Sequence, residues 1–399
     1  MEFWFLIVAT AVFIIAAARL FAGRRKSPPL PPGPASFPFI GNLLWLWNPI
    51  SEMEFILRRI APKYGPLIAM RIGNRPFVFI GSRSVAHQAL IQNGAVFSDR
   101  PAPTTISIYL NGGDPLSINS AKYGPTWRFL RRNLTQEILN PSRVKAYSGC
   151  RRSVLSILIR RLAAGSEAVK AMDHFHDAMF SLLVFMCFGD GVPEAKLKEI
   201  ESVQRRLLLS FRRFRRLSFL PPRLGRIVFR NTWNEMIRLR EDQEAVLIPL
   251  IRARLQKKNT DHGDDGDRNH VTAYVDTLID LEHPEKGRKL TETEMLTLCS
   301  EFLNAGTDTT STTLQWLMAN LVKHPHCRNK VYDEITRVMG GPAPAAMAGN
   351  GLDEVVEEED LERMPYLKAV VLETLRRHPP GHFVLPHKVY IYISLYIYI

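Results

Sequence analysis

The first 23 residues are apolar almost throughout. Phe3 to Ala18 carries no charge, Arg19 interrupts, and Leu20 to Gly23 continue. A membrane-crossing helix needs about 20 apolar residues, a length reached here only if Arg19 snorkels to the headgroups. Arg24, Arg25 and Lys26 follow, while Glu2 alone stands on the other flank. The excess of positive charge places the body on the cytosolic side. A cleaved signal peptide is the rival reading, through the small residues Ala16 to Ala18. It is the weaker one, because there is no basic leading region and the charges lie on the wrong side. Pro28 to Pro34 (PPLPPGP) then favours an extended, semi-rigid spacer. Residues 67–80 (LIAMRIGNRPFVFI) predict a strand pair turning near Gly73-Asn74. From about residue 120 onward helical patterns dominate, so the chain reads as mostly α with a small β portion. Residues 256–270 and 340–351 read as loops.

The clearest helix opens at Thr291, which forms a capping-box pattern with Glu294, and stops at His324-Pro325. Some 32 residues at 1.5 Å each make a rod of roughly 48 Å, enough to cross a domain. In its middle sits Ala305-Gly306-Thr307-Asp308-Thr309-Thr310. This is poor helix material, since Gly costs about 1 kcal/mol there and Thr hydroxyls compete for backbone carbonyls. Two readings stand level. One is a groove where a small ligand meets backbone, a carboxylate and a hydroxyl. The other is a Ser/Thr-rich face with satisfied hydroxyls.

Two further patterns are ambiguous alone. Glu373 and Arg376 share one face of a helix over 366–378, as a buried mutual pair or an ordinary surface pair. Trp127 and Arg131, four apart after Gly124-Pro125, would bind a carboxylate or stack as a cation–π pair.

Composition narrows the class. Apolar residues make up 46% and charged residues 23%, which excludes wholesale disorder. The four cysteines, at 150, 187, 299 and 327, lie far apart, which argues against a disulfide framework and suits a reducing compartment. His324, His326 and Cys327 supply only three ligands at a helix break, a chance arrangement rather than a metal site. The net charge of +13 has one main source: nine arginines and no acid between Arg205 and Arg230, without which the excess is +4. Interleaved with Leu and Phe, they suit an anionic membrane surface. Nucleic-acid binding ranks below that, and a solvated basic face stays open.

Taken together and in order, PPLPPGP, FSDRP at 97–101, WxxxR at Trp127 and Arg131, AGTDTT at 305–310, KHP at 323–325 and ETLR at 373–376 resemble the cytochrome P-450 family of haem-thiolate monooxygenases. The nearest look is to the plant microsomal branch. The resemblance implies a haem cofactor and the insertion of one oxygen atom from O2 into a lipophilic small molecule. Electrons would come from an NADPH-dependent reductase, docked near Lys122, Arg128, Arg131 and Arg132. The protein would sit in the endoplasmic reticulum membrane against lipid, with no nucleic-acid partner. Trp127 and Arg131 would hold a haem propionate. Ala305 and Gly306 would line the oxygen groove, Thr309 would hydrogen-bond the oxygen, and Asp308 would relay protons. Glu373 and Arg376 would be a structural pair.

One element of the family pattern has no counterpart. The cysteine that supplies the axial thiolate, in a Gly- and Arg-containing loop near the C-terminus, is absent. The expectation is therefore a P-450 fold lacking its C-terminal haem-ligand loop and final helix and strands, inactive as it stands. A non-enzymatic truncated relative, or a gene-model fragment bound to membrane, is the alternative. The organisation read from sequence is an anchor at 1–23, a hinge at 24–34, a partial P-450 domain at 35–388 and an aberrant tail at 389–399. That tail holds four of the 11 tyrosines and reads as translated intron or shifted frame.

Overall fold

The computed structural model describes residues 10, 12–13, 30–37, 41–42, 50–72, 75–110, 113, 116–164, 169–214, 217, 222–260, 271–340, 356–389 and 393–397. No helix among them is long and apolar enough to cross a membrane. The anchor read at 1–23 lies outside these residues, Thr10, Val12 and Phe13 apart.

Two compact units emerge. The first comprises residues 1–101 and 382–399. Its helix α1 (Ile50–Tyr64) precedes strands β1 (Leu67–Ile72) and β2 (Arg75–Ile80), joined by β3 (His387–Val389) and β4 (Ile393–Ile397). The sheet runs β1-β2-β4-β3, with β4 parallel to β2 and the other pairs antiparallel. β1 and β2 are the pair expected from the alternating run, with Leu67 opposite Ile80 and Met70 opposite Phe77. Successive side chains on a strand point to opposite faces. Ile68, Met70 and Phe79 accordingly pack on Met53 and Leu57 of α1, while Val78 and Ile80 pack on Ala89. The Tyr/Ile tail contributes β4, with Phe77 paired to Ser394 and Phe79 to Tyr396.

Two motifs hold this unit together. The Pro-rich run docks on a strand edge: Ala69 N donates to Pro32 O at 3.0 Å. A Cβ on Gly33 would sit 1.8 Å from Ala69 O, so only glycine fits. FSDRP ties down the segment before β3, where Arg100 donates to Leu385 O and Pro386 O at 3.2 and 3.1 Å. Lys388 N donates to Asp99 O at 2.8 Å.

The second unit, residues 102–381, is helical, with one short hairpin at Glu282–His283 and Arg288–Lys289. We label its main helices α2 (Pro125–Asn133), α3 (Ser148–Ala163), α4 (Ala171–Phe188), α5 (Glu194–Phe214), α6 (Arg230–Thr260), α7 (Glu292–Lys323), α8 (Pro325–Met339) and α9 (Pro365–Arg377). α7 is the predicted long helix, and the Thr291–Glu294 capping box is present. Its first half is buried, with Leu296, Cys299 and Leu303 at 0% exposure against Val184 and Cys187 of α4. α4 is apolar nearly all round, which is what a helix packed on several sides requires.

Arg288 reaches the start of α7 and grips Glu294 with two bonds of 2.7 Å. Burial opposes ionisation of Glu294, but Arg288 and the backbone of Thr291 outweigh it and hold the carboxyl down at about 2. The basic stretch at 205–230 is partly answered by acids of α6. Arg206 pairs with Asp242 at 3.0 Å and Arg213 with Glu235 at 2.6 Å.

Candidate active site

The centre of α7 presents two faces. Thr307 and Ser311 are buried, whereas Ala305 and Thr309, four apart on another face, are exposed and lead on to Trp316. The hydroxyls are satisfied locally. Thr307, Thr309, Ser311 and Thr313 donate to the carbonyls of Leu303, Ala305, Thr307 and Thr309 at 2.7–2.9 Å. Thr309 is therefore bonded within the helix while its side chain stays open to solvent. Gly306 faces inward instead. A Cβ there would lie 2.7 Å from Leu183 Cδ1, so the glycine lets α4 approach α7. Asp308, on the flank, lies 3.3 Å from Nε2 of His176 on α4.

The WxxxR helix reaches α7 through the loop at 116–121. The single donor of Trp127, its Nε1–H, goes to Ile118 O at 3.1 Å. Glu301, one turn before Ala305, accepts from Ile118 N and Asn119 N at 2.8 and 2.7 Å. Burial raises the Glu301 carboxyl, and those two N–H groups pull against it. Arg131 is exposed on α2. Trp127 meets Tyr123 at 5.4 Å rather than Arg131, and the cation over Tyr123 is Arg128 at 4.9 Å.

Glu373 and Arg376 form a two-bond pair of 2.6 and 2.7 Å, and their side chains are 53% and 70% exposed. They are not brought to the Ala305–Thr309 stripe. α9 packs on α7, and Glu373 lines a cavity of about 240 Å³ with Asn320, His324 and Cys327 at the far end of that helix. Fifteen residues separate Ala305 from Asn320, about 22 Å at the helical rise.

Sequence reasoning missed two groups. His176 and Glu301 carried no motif, and each acquires its meaning from a partner far along the chain.

The comparisons agree with the order of motifs. The cytochrome P450 family model matches residues 31–395. The chain belongs to the cytochrome P450 family. The family consists of haem monooxygenases, oxidoreductases that act on lipophilic substrates with a reductase partner. Cytochrome P450 89A9 of Arabidopsis thaliana is 42% identical over 398 residues, covering 96% of this chain and 74% of the relative. Salviol synthase of Salvia pomifera is 28% identical, covering 94% and 70%. In structure, retinoic acid-bound cyanobacterial CYP120A1 superposes with a TM-score of 0.67 at 18% identity, over 93% of this chain and 77% of that one. The family match passes residue 388, where the motif resemblance ends, and enters β4.

Haem is the family's cofactor, and the residues here suit it on one side. The open stripe on α7 and the exposed Arg131 are compatible with an oxygen groove and a propionate. The axial position is not served. Cys187 and Cys299 are fully buried, and burial, with Cys299 beside it, pushes the Cys187 thiol well up. Burial also raises Cys150. An axial ligand must be a thiolate, which burial disfavours at Cys187 and Cys150. Cys327 lies past the end of α7, 3.2 Å from Nε2 of His326.

Proposed function

We propose that this chain carries the oxygen-side half of a membrane-associated P450 monooxygenase and that its 399 residues by themselves turn over no substrate. The observation that supports the oxygen-side reading is the open stripe of Ala305 and Thr309, exposed on a helix otherwise buried in its first half. In this reading Thr309 Oγ1, released from Ala305 O, offers its hydroxyl to oxygen, and Asp308 holds or gives the proton. Ala305 forms the wall, and Gly306, which the sequence pattern also put there, instead faces Leu183 of α4. Arg131 takes the propionate charge, since Trp127 has committed its only donor to Ile118. Glu373 and Arg376 are a solvent-exposed pair on α9 with little weight in holding the fold.

Membrane association is supported by the Phe3–Gly23 run and its basic flank. Leu224, Ile227 and Val228 add to it, being 51%, 74% and 61% exposed on the helix Pro222–Val228 among Arg223 and Arg226. The endoplasmic reticulum membrane with a single N-terminal span and a cytosolic body is the corresponding location.

The test is the reduced carbon-monoxide difference spectrum of the chain in microsomes, beside a version extended with the genomic downstream exon. A thiolate-type Soret band only in the extended version supports the reading. Such a band from the 399 residues overturns the inactivity. Flotation with microsomes, lost on deleting residues 1–26, tests the anchor.

A further inference from the structure

Asp308 faces a built environment. Three helices each contribute one group to it, and the imidazole of His176 is the middle one. Nε2 of His176, on α4, lies 3.3 Å from Oδ1 of Asp308 on α7, and Nδ1 lies 2.8 Å from Oε1 of Glu201 on α5. Exposure falls inward along this chain, from 43% at Asp308 to 9% at His176, with Glu201 at 19% on the other side. Phe180, one turn on, lays its ring parallel to the imidazole at 6.4 Å.

The other charged groups around the ring are few. Asp177, next on the same helix, is hydrogen-bonded with Glu201 and paired with Arg161 of α3 at 3.4 Å. Arg205 acts on Glu201 from one turn along α5. Acids therefore dominate: Asp308 from α7, Glu201 from α5 and Asp177 from α4, against Arg161 and Arg205 at one remove.

A ring with a carboxylate at each nitrogen favours the form with a proton on both. Asp308 first and Glu201 second raise the His176 pKa to about 9, against the pull of burial. Donor atoms of His176, Asp177 and Glu201 lie within 4.8 Å of one another, a spacing that also admits a metal ion. An imidazolium with both N–H groups engaged has no lone pair for a metal, so the hydrogen-bonded clamp is the better account.

We infer that His176 is a positioning residue for Asp308: its Nε2–H fixes the orientation of the Asp308 carboxylate at the edge of the open stripe, and Glu201 fixes the ring. The inference rests on reading Asp308 as the proton-handling acid of that face. A carboxylate held in one rotamer loses no entropy on reaching its working geometry. Nothing near position 176 in the chain announces this. The clamp exists because α4 and α7 approach closely enough, through Gly306 against Leu183, to bring the two side chains within bonding distance.

The experiment is an NMR pH titration of the full chain with ¹⁵N-labelled histidine, the His176 signal being identified by its loss in His176→Gln. In the parent, the ring should keep the imidazolium pattern at pH 8, where an ordinary histidine of pKa about 6.5 is neutral. Asp308→Asn and Glu201→Gln should each lower the midpoint by about one unit or more, while Thr309→Ala on the same helix leaves it in place. A parent midpoint near 6.5, or one unmoved by Asp308→Asn in a variant with parent-like circular dichroism, overturns the clamp. The parent titration needs no variant to fold. An absent clamp leaves the spectral test of the oxygen side untouched. A failed spectral test beside an intact titration would refute the oxygen-side reading and leave the clamp standing.

Discussion

The inward and open faces of α7 are built from nearly the same residue types and behave in opposite ways. Thr307 and Ser311 are buried at 3% and 1%, while Thr309 is exposed, yet all three make the same bond to the carbonyl four residues back. The hydroxyl chemistry is shared. What differs is what lies opposite: α4 on one side, solvent on the other. A motif such as AGTDTT therefore does two jobs at once. Gly306 lets α4 come close and Thr307 is buried, while Ala305 and Thr309 stay exposed with Asp308 on the flank.

The contrast can be broken most severely at its buried face. Leu303→Ala, at a position with 0% exposure, should cost about 2–5 kcal/mol in denaturant unfolding. Next comes Gly306→Val. Its added bulk meets Leu183, and a loss of about 1–3 kcal/mol is expected from the same measurement. A loss as large from Thr309→Ala would erase the distinction between the faces.

Two buried ionisable groups respond to pH with opposite signs. Glu294 has its carboxyl held at about 2, below its unfolded value, so its contribution is present above pH 4.5 and lost as pH falls towards 2. Glu294→Gln should flatten that acid limb and cost about 1–3 kcal/mol at neutral pH, since Arg288 loses its partner. His176 has the opposite sign. Its raised pKa gives a contribution fully present below pH 6.5 and lost as pH rises through about 9. Thermal midpoints of His176→Gln and the parent should therefore converge above pH 9.

The smallest effects belong to the open side. Thr309→Ala should leave stability within about 0.5 kcal/mol, because an exposed hydroxyl bonded to its own helix contributes little. Glu373→Gln should hardly move the thermal midpoint, since the pair is solvent-exposed on both partners.

Much of this was legible beforehand. The strand pair at 67–80, the long helix with its capping box and the order of motifs are local or near-local signals, and the structure contains them. The Pro-rich run was legible as extended chain. Its docking on β1 was not, because Gly33 is required only by the backbone of Ala69. The Arg-rich stretch looked unopposed within its own 26 residues, and its acids arrive from α6. By composition alone the tail reads as aberrant. The alternation of Tyr and Ile also has strand propensity, and in the fold Ile393–Ile397 pairs with β2.

The family, the mostly α class and the position of the central helix are written in the local patterns of the chain. Each of these depends on residue identity and short-range order, which the chain carries without folding. Which face of AGTDTT is open, which partner Trp127 serves, and the place of His176 between Asp308 and Glu201 emerge on folding alone. Those outcomes depend on distances between helices far apart in sequence, and such distances are set by how the apolar faces of α4, α5 and α7 pack together.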